Sequence, residues 1–213
     1  EADQTIVLLH GYGASCDDLA PLANTLDPYR AVNWVFPQGP LQVPISPLMT
    51  GQAWFPIDAQ ELQGAMSGHR PLDFSDSLPQ GLESATQKVL ELLAELNTPL
   101  QSLHLGGFSQ GAMVALNTAL QLPENIQSAI LLSPTLAHKE HWKQLAQQHE
   151  GLAFFQSHGQ ADGVLPYAAS EKLFHLLSEC GLVGEFVPFH GGHEIPPLVL
   201  RQLSDFLSLS KKS

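Results

Sequence analysis

Gly107-Phe108-Ser109-Gln110-Gly111 has the spacing G-x-S-x-G. Between a strand and a helix, that run makes a sharp turn that strains the serine backbone and exposes its hydroxyl. The flanks fit. Leu103 to Phe108 reads as a strand, and Gln110 to Leu122 as a small-residue helix stopped by Pro123. Gly107, Gly111 and Ala112 keep the strand–helix crossing narrow. A serine hydroxyl is a weak nucleophile until a base takes its proton, and in this arrangement the acid and then the histidine follow the serine along the chain. Two histidines come after the last predicted strand, His190 and His193. His193 follows the flexible pair Gly191-Gly192, which can carry a side chain over the sheet edge, so it is the candidate base. His190 closes the strand and is expected to be packed or solvent-facing. Asp162 is the only carboxylate between Ser157 and Pro166. There it would bond the other imidazole nitrogen, fix the tautomer and stabilise the imidazolium.

A tetrahedral intermediate needs backbone donors for its oxyanion. The amide of Gln110, next after the nucleophile, is one candidate. The amide of Tyr12 in the loop His10-Gly11-Tyr12-Gly13 is the other, because its glycines let backbone approach a substrate. His10 and His158 are expected to brace their loops. His138, His141 and His149 with Glu140 match no zinc spacing and read as a solvated helix face. No motif makes Cys16 a nucleophile. No phosphate-binding loop or dinucleotide fingerprint is present, so neither metal nor cofactor is expected.

The elements that must position these residues alternate. Thr5 to Leu9, Val32 to Phe36, Leu103 to Phe108, Ile126 to Leu132, Leu152 to Ser157 and Gly184 to Phe189 read as strands. Helical patterns run from Asp17 or Asp18 to Leu26, Gln80 to Leu96, Gln110 to Leu122, His138 to Gln148, Tyr167 to Cys180 and Pro196 to Leu207. Continuous apolar strands alternating with helices predict an α/β fold, with a mainly parallel central sheet covered by helices on both faces. The proline- and glycine-rich stretch 37–79 breaks the rhythm and is expected to form an irregular, ordered flap, packed through residues such as Ile45 and Ile57.

The 213 residues suit one domain spanning 1–213. A hydrophobic share of 44% is enough to build a core, whereas 14% charged residues and a net charge of -12 exclude the basic footprint of a nucleic-acid binder. The same acidity disfavours docking on anionic lipid. No apolar run approaches a membrane span. The opening Glu1-Ala2-Asp3-Gln4 is not the basic-then-apolar start of a signal peptide, and Cys16 and Cys180 form no disulfide framework. The expectation is a cytoplasmic protein.

Together, Leu8-Leu9-His10-Gly11-Tyr12-Gly13, Ala53-Trp54-Phe55, Gly106-Gly107-Phe108-Ser109-Gln110-Gly111-Ala112, His158-Gly159-Gln160-Ala161-Asp162 with Leu165-Pro166, and Gly192-His193-Glu194 resemble the bacterial phospholipase/carboxylesterase family, relatives of the acyl-protein thioesterases. They occur in family order and span almost the whole chain. The resemblance implies an α/β-hydrolase fold without a large lid domain, and hydrolysis through an acyl-enzyme. It also implies an acyl groove formed by Trp54, Phe55, Leu48, Met49 and Pro166. Tyr12, where the eukaryotic thioesterases commonly have leucine, and Ile195-Pro196-Pro197 after the histidine depart from those enzymes. The expected function is a serine carboxylesterase for small-molecule esters of short to medium acyl chain, acting as a monomer or homodimer. A lysophospholipase or acyl-protein thioesterase is the nearer alternative, and a non-catalytic binding module the remote one.

Overall fold

The computed structural model describes residues 4–26, 32–46, 48–68 and 70–209. Glu1, Ala2 and Asp3 of the opening segment, and Pro47 of the flap, lie outside them. The strands β1 (Thr5–Leu9), β5 (Leu103–Phe108), β6 (Ser128–Leu132) and β7 (Ala153–Gly159) are almost entirely buried. Strands covered on both faces read as nearly continuous apolar runs, and these do, apart from the buried polar residues Thr5, His104, Ser128, Gln156, Ser157 and His158. Two shorter or more exposed strands, β2 (Asn33–Val35) and β8 (Val183–Phe189), form the edges of the sheet. The order is β2-β1-β5-β6-β7-β8, and every neighbouring pair is parallel.

Alternate side chains of one strand feed opposite cores. Val7, Leu9, Ala129, Leu131 and Phe154 pack on the face covered by α4 (Leu82–Leu96), α5 (Gln110–Ala119), α6 (Lys139–Ala146) and α7 (Tyr167–Glu179). Ile6, Leu8, Ile130, Leu132 and Phe155 pack on the other face, against α1 (Cys16–Leu19), α2 (Pro21–Leu26) and α8 (Pro197–Leu209). This is the α/β-hydrolase arrangement of a parallel sheet between two helical layers. Among the described residues, no helix is long and apolar enough to cross a membrane.

The chain leaves β1 toward the β2 edge, then returns to β5 on the other side of β1. The loops after β1 and β5 therefore diverge, opening a crevice beyond the carboxyl ends of these two strands. Open parallel sheets bind ligands at such a switch point.

Two segments differ from the sequence expectation. The first helical pattern is split in two: Ser15 caps α1, its N–H donating to Asp18 Oδ2 at 2.6 Å, and a second helix begins at Pro21. Proline lacks the N–H needed to continue a helix but suits the first position of a new one. The stretch 37–79, expected to be irregular, contains an antiparallel hairpin of β3 (Leu41–Ser46) and β4 (Met49–Ala53), followed by α3 (Ala59–Met66). The hairpin has an edge proline, Pro44, and a register irregularity beside it, so strand periodicity is hard to see in the sequence. Asp58 caps α3 by accepting from the N–H groups of Gln60 and Glu61.

Trp142 lies fully buried on α6, and its Nε1–H donates to Asn117 Oδ1 of α5 at 2.8 Å. Asn117 Nδ2 in turn donates to Thr86 Oγ1 on α4 at 2.8 Å, so one buried amide links three helices. Asn117→Ala would strand both partners. A stability loss of about 1–3 kcal/mol is expected, seen as a lower midpoint in urea unfolding with the slope unchanged.

Candidate active site

Ser109 sits between β5 and α5 with φ 56° and ψ -119°, in the left-handed region that non-glycine residues avoid. Two glycines make this turn possible. A Cβ on Gly111 would lie 2.1 Å from the Leu9 carbonyl oxygen, and one on Gly107 would lie 2.5 Å from the Gly111 backbone. The start of α5 thus rests directly on the end of β1. The Ser109 N–H donates to Leu132 O at 2.8 Å, tying the turn to β6.

The sequence-predicted acid and base are brought to the serine. His193 Nε2 is 2.8 Å from Ser109 Oγ, and His193 Nδ1 is 2.6 Å from Asp162 Oδ2. The carboxylate accepts at Nδ1, so that nitrogen carries the proton and Nε2 is free to accept from the serine. The loops that deliver the two residues are stitched together. Gln160 N–H donates to Phe189 O and Ala161 N–H to Gly191 O, both at 2.9 Å. Gly159 lets them approach, because a Cβ there would lie 2.1 Å from Gly192 O. The Phe108 ring, 4.8 Å from that of His193, backs the imidazole. His190 is exposed, as expected.

Asp162 is nearly buried, and burial alone would raise its pKa. Hydrogen bonds from His158 and His193, the charge of His193 and the Leu165 N–H outweigh that and hold it well below the usual carboxylate range. Its Oδ1 accepts from Val164 N–H at 2.8 Å and Leu165 N–H at 3.0 Å. The carboxylate therefore stays ionised across any ordinary assay pH.

The loop after β1 is held by the flap. Gly13 N–H donates to Gln52 O, and Gln52 N–H to Ala14 O. His10 is fully buried. Its Nε2 accepts from the Gly39 N–H, so Nδ1 bears the proton and donates to Gly11 O. Desolvation lowers the His10 pKa, as a neutral brace requires. The Gln110 side chain clamps the flap from the other side: Oε1 accepts from Trp54 N–H and Nε2 donates to Phe55 O, both at 2.8 Å. The N–H groups of Tyr12 and Gln110 are not taken by any other described residue. Tyr12, Gln110, Ser109 and His193 line one cavity of about 250 Å³.

The rest of that cavity corrects the expected groove. Trp54 and Phe55 do not line it, being 4% and 0% exposed and part of the main core. The Trp54 indole N–H donates to His10 O at 2.9 Å, so this side chain braces the loop that holds Tyr12. Leu48 and Met49, 96% and 63% exposed, stand at the hairpin turn, away from the lining. Pro166 precedes α7 as its cap and also stays out. Their chain neighbours line it instead: Pro44 and Ile45 of β3, and Val164 and Leu165 before α7. Ile57, Leu62 and Met66 from the α3 region, with Leu72, Phe74 and Met113, complete an apolar wall. Apart from Leu165, these residues belong to no motif. Only the tertiary fold of the flap, α5 and the loop before α7 could select them, although α3's apolar spacing was a usable signal.

A serine hydroxyl hydrogen-bonded to an imidazole and two untaken backbone N–H groups line an apolar cavity, with a carboxylate on the imidazole's other nitrogen behind it. Such a constellation can attack a carbonyl and relay the proton to a leaving group. Comparison with known proteins agrees. The family model described as Phospholipase/Carboxylesterase matches residues 1–211. Acyl-protein thioesterase 1 of Saccharomyces cerevisiae is 30% identical, covering 100% of this chain and 95% of its own length. Its counterpart in Mycosarcoma maydis is 28% identical over 95% of this chain and 89% of its own length. Among solved structures, esterase PE8 superposes with a TM-score of 0.80 at 28% identity, covering 98% of this chain and 93% of its own. A carboxylesterase from Mesorhizobium loti has a TM-score of 0.71 at 21% identity, covering 98% of this chain and 90% of its own, which bears on the fold alone. The chain belongs to the phospholipase/carboxylesterase family, a family of ester and thioester hydrolases.

Proposed function

We propose that this protein is a serine carboxylesterase that hydrolyses small-molecule esters of short to medium acyl chain through Ser109, His193 and Asp162. The unbroken hydrogen-bonded line from Ser109 Oγ through His193 to Asp162 carries the reading. In the first step His193 Nε2 takes the Ser109 proton as Oγ bonds to the ester carbonyl carbon. The carbonyl oxygen gains the negative charge, and the amides of Tyr12 and Gln110 hold it. The intermediate collapses, the C–O bond to the alcohol breaks, and His193 returns the proton to the leaving oxygen. Water then attacks the acyl-serine with the same base, releasing the acid and restoring Ser109. Metal and cofactor have no role in these steps.

Cavity chemistry supports the substrate class. Among the described residues, its lining beyond the reacting groups is apolar and contains no Lys, Arg, Asp or Glu, which suits a neutral acyl chain. Burial pushes the Tyr12 phenol up, so it remains a neutral hydroxyl. At about 250 Å³, the cavity is smaller than the ~300–1,000 Å³ typical of drug-sized ligands, which favours shorter chains. The free thiols Cys16 and Cys180 fit a reducing compartment, and we place the enzyme in the cytoplasm.

Ser109→Ala and Asp162→Asn are each expected to lower kcat by roughly 10⁴-fold or more while keeping the fold. Hydrolysis of p-nitrophenyl esters, beside circular dichroism, checks both; full activity in Ser109→Ala would overturn the assignment. Rates across an acyl series from acetate to palmitate, with a matched thioester, should peak at short to medium oxyesters. A peak at palmitate or on the thioester would move the assignment to a lysophospholipase or acyl-protein thioesterase.

The revised groove makes its own prediction. Leu62→Trp fills part of the cavity and is expected to shift the acyl optimum toward shorter chains. Leu48→Ser, at the exposed turn, is expected to leave kcat/KM for soluble esters unchanged. The same ester series measures both.

A further inference from the structure

His158 belongs to no part of the serine–histidine–aspartate line, yet it is fully buried against it. Its Nε2 lies 3.0 Å from Leu165 O and 3.2 Å from Asp162 Oδ2. Both neighbours are acceptors, so Nε2 must carry a proton. Its Nδ1 is buried without a partner among the described residues. A second proton there would bury both an unpaired donor and a positive charge, which is costly. The geometry therefore specifies one species, a neutral imidazole protonated at Nε2 and donating a shared hydrogen bond.

Asp162 Oδ2 is thus contacted twice, by His193 at 2.6 Å and by His158 at 3.2 Å. Oδ1 is already occupied by two backbone N–H groups. We propose that His158 is a positioning residue for the ester hydrolysis. By donating to the oxygen that also holds His193, it fixes the carboxylate orientation and limits how strongly Asp162 stabilises the His193 imidazolium, and so sets the lower edge of the working pH range. This proposal rests on the triad reading above.

The physical sign follows from charge. A hydrogen bond donated to Oδ2 withdraws negative charge from it. Without that donor Asp162 attracts the imidazolium more strongly, and His193 stays protonated, hence inactive as a base, to higher pH. Loss of the donor also leaves Oδ2 held by His193 alone, which loosens the alignment that the rate depends on. Few other titratable groups face the cluster. The ring of Tyr167 on α7 meets that of His158 edge-on at 6.1 Å, and its phenol pKa is raised by burial and by Glu171. Glu194 follows His193 but is exposed, its Oε1 accepting from Gly192 N–H. Neither contacts Asp162 Oδ2, so neither can replace the lost donor.

The test compares His158→Phe, which fills the space without a donor, with His158→Gln, whose amide N–H can reach the same oxygen. In kcat/KM against pH, His158→Phe should move the acid limb up by about 0.5–1 pH unit. Its plateau kcat should fall by about tenfold with KM little changed. His158→Gln should keep the wild-type acid limb. A uniform loss of activity with no shift in His158→Phe, or an equal shift in both variants, would overturn the proposal. Nitrogen NMR of the ¹⁵N-histidine-labelled wild-type protein needs no variant to fold. It should show the His158 proton on Nε2 and Nδ1 bare. A proton on Nδ1 would overturn it equally. Full activity in Ser109→Ala removes the triad and this proposal together. An inert Ser109→Ala with an unmoved acid limb in His158→Phe removes this proposal alone.

Discussion

The start of α5 rests on the carboxyl end of β1 at a separation that no side chain could occupy. A Cβ on Gly111 would fall 2.1 Å from Leu9 O and 2.6 Å from His10 O. This close backbone approach sets the geometry of everything around it. It brings the amide of Gln110 beside the loop that bears Tyr12, and it forces Ser109 into its left-handed turn. The strain is confined to one residue, which hydrogen bonds to β6 and the following helix hold in place. The two donor loops and the nucleophile are therefore consequences of how β1 and β5 pair in the sheet.

A second layer of fixed groups surrounds this crossing. His10, Trp54 and Gln110 each have their hydrogen-bonding atoms engaged with flap or loop backbone. Such rigid supports suit electrostatic catalysis, in which donors must already point at the developing charge. The acid side is built the same way. Asp162 is saturated by two backbone N–H groups and two histidines, so its negative charge is stabilised although burial opposes it. Polar side chains at the site are nearly all accounted for, and the wall facing the substrate is left apolar.

The flap serves two purposes that its sequence runs together. Its inner residues, Trp54 and Phe55, continue the main core and brace the loop after β1. Others, from β3 and the α3 region, line the apolar cavity beside Ser109. The flap is tied to the body by backbone hydrogen bonds at Gln52 and by the Gln110 side chain, whereas its wall residues in β3 and α3 make none of the hydrogen bonds of Ser109, His193 or Asp162.

Much was legible in the sequence by itself. The apolar runs at Thr5–Leu9 and Leu103–Phe108 announce strands buried on both faces, because only such strands need continuous apolar side chains. Ser109, Asp162 and His193 could be picked out because glycines mark tight turns at strand ends, and because one loop offered a single carboxylate. Those are local constraints, written in residue type and spacing. The acyl wall was not legible in this way. An aromatic such as Trp54 and an aliphatic such as Leu62 look equally suited to a groove, and only packing decides which one faces the cavity and which the core. The second donor to Asp162 was equally hidden. His158 lies four residues from the acid in sequence, but its role depends on how the loop after β7 folds back on itself. Tertiary structure decides this because burial, and the pairing of polar atoms within it, belong to surfaces brought together from distant parts of the chain.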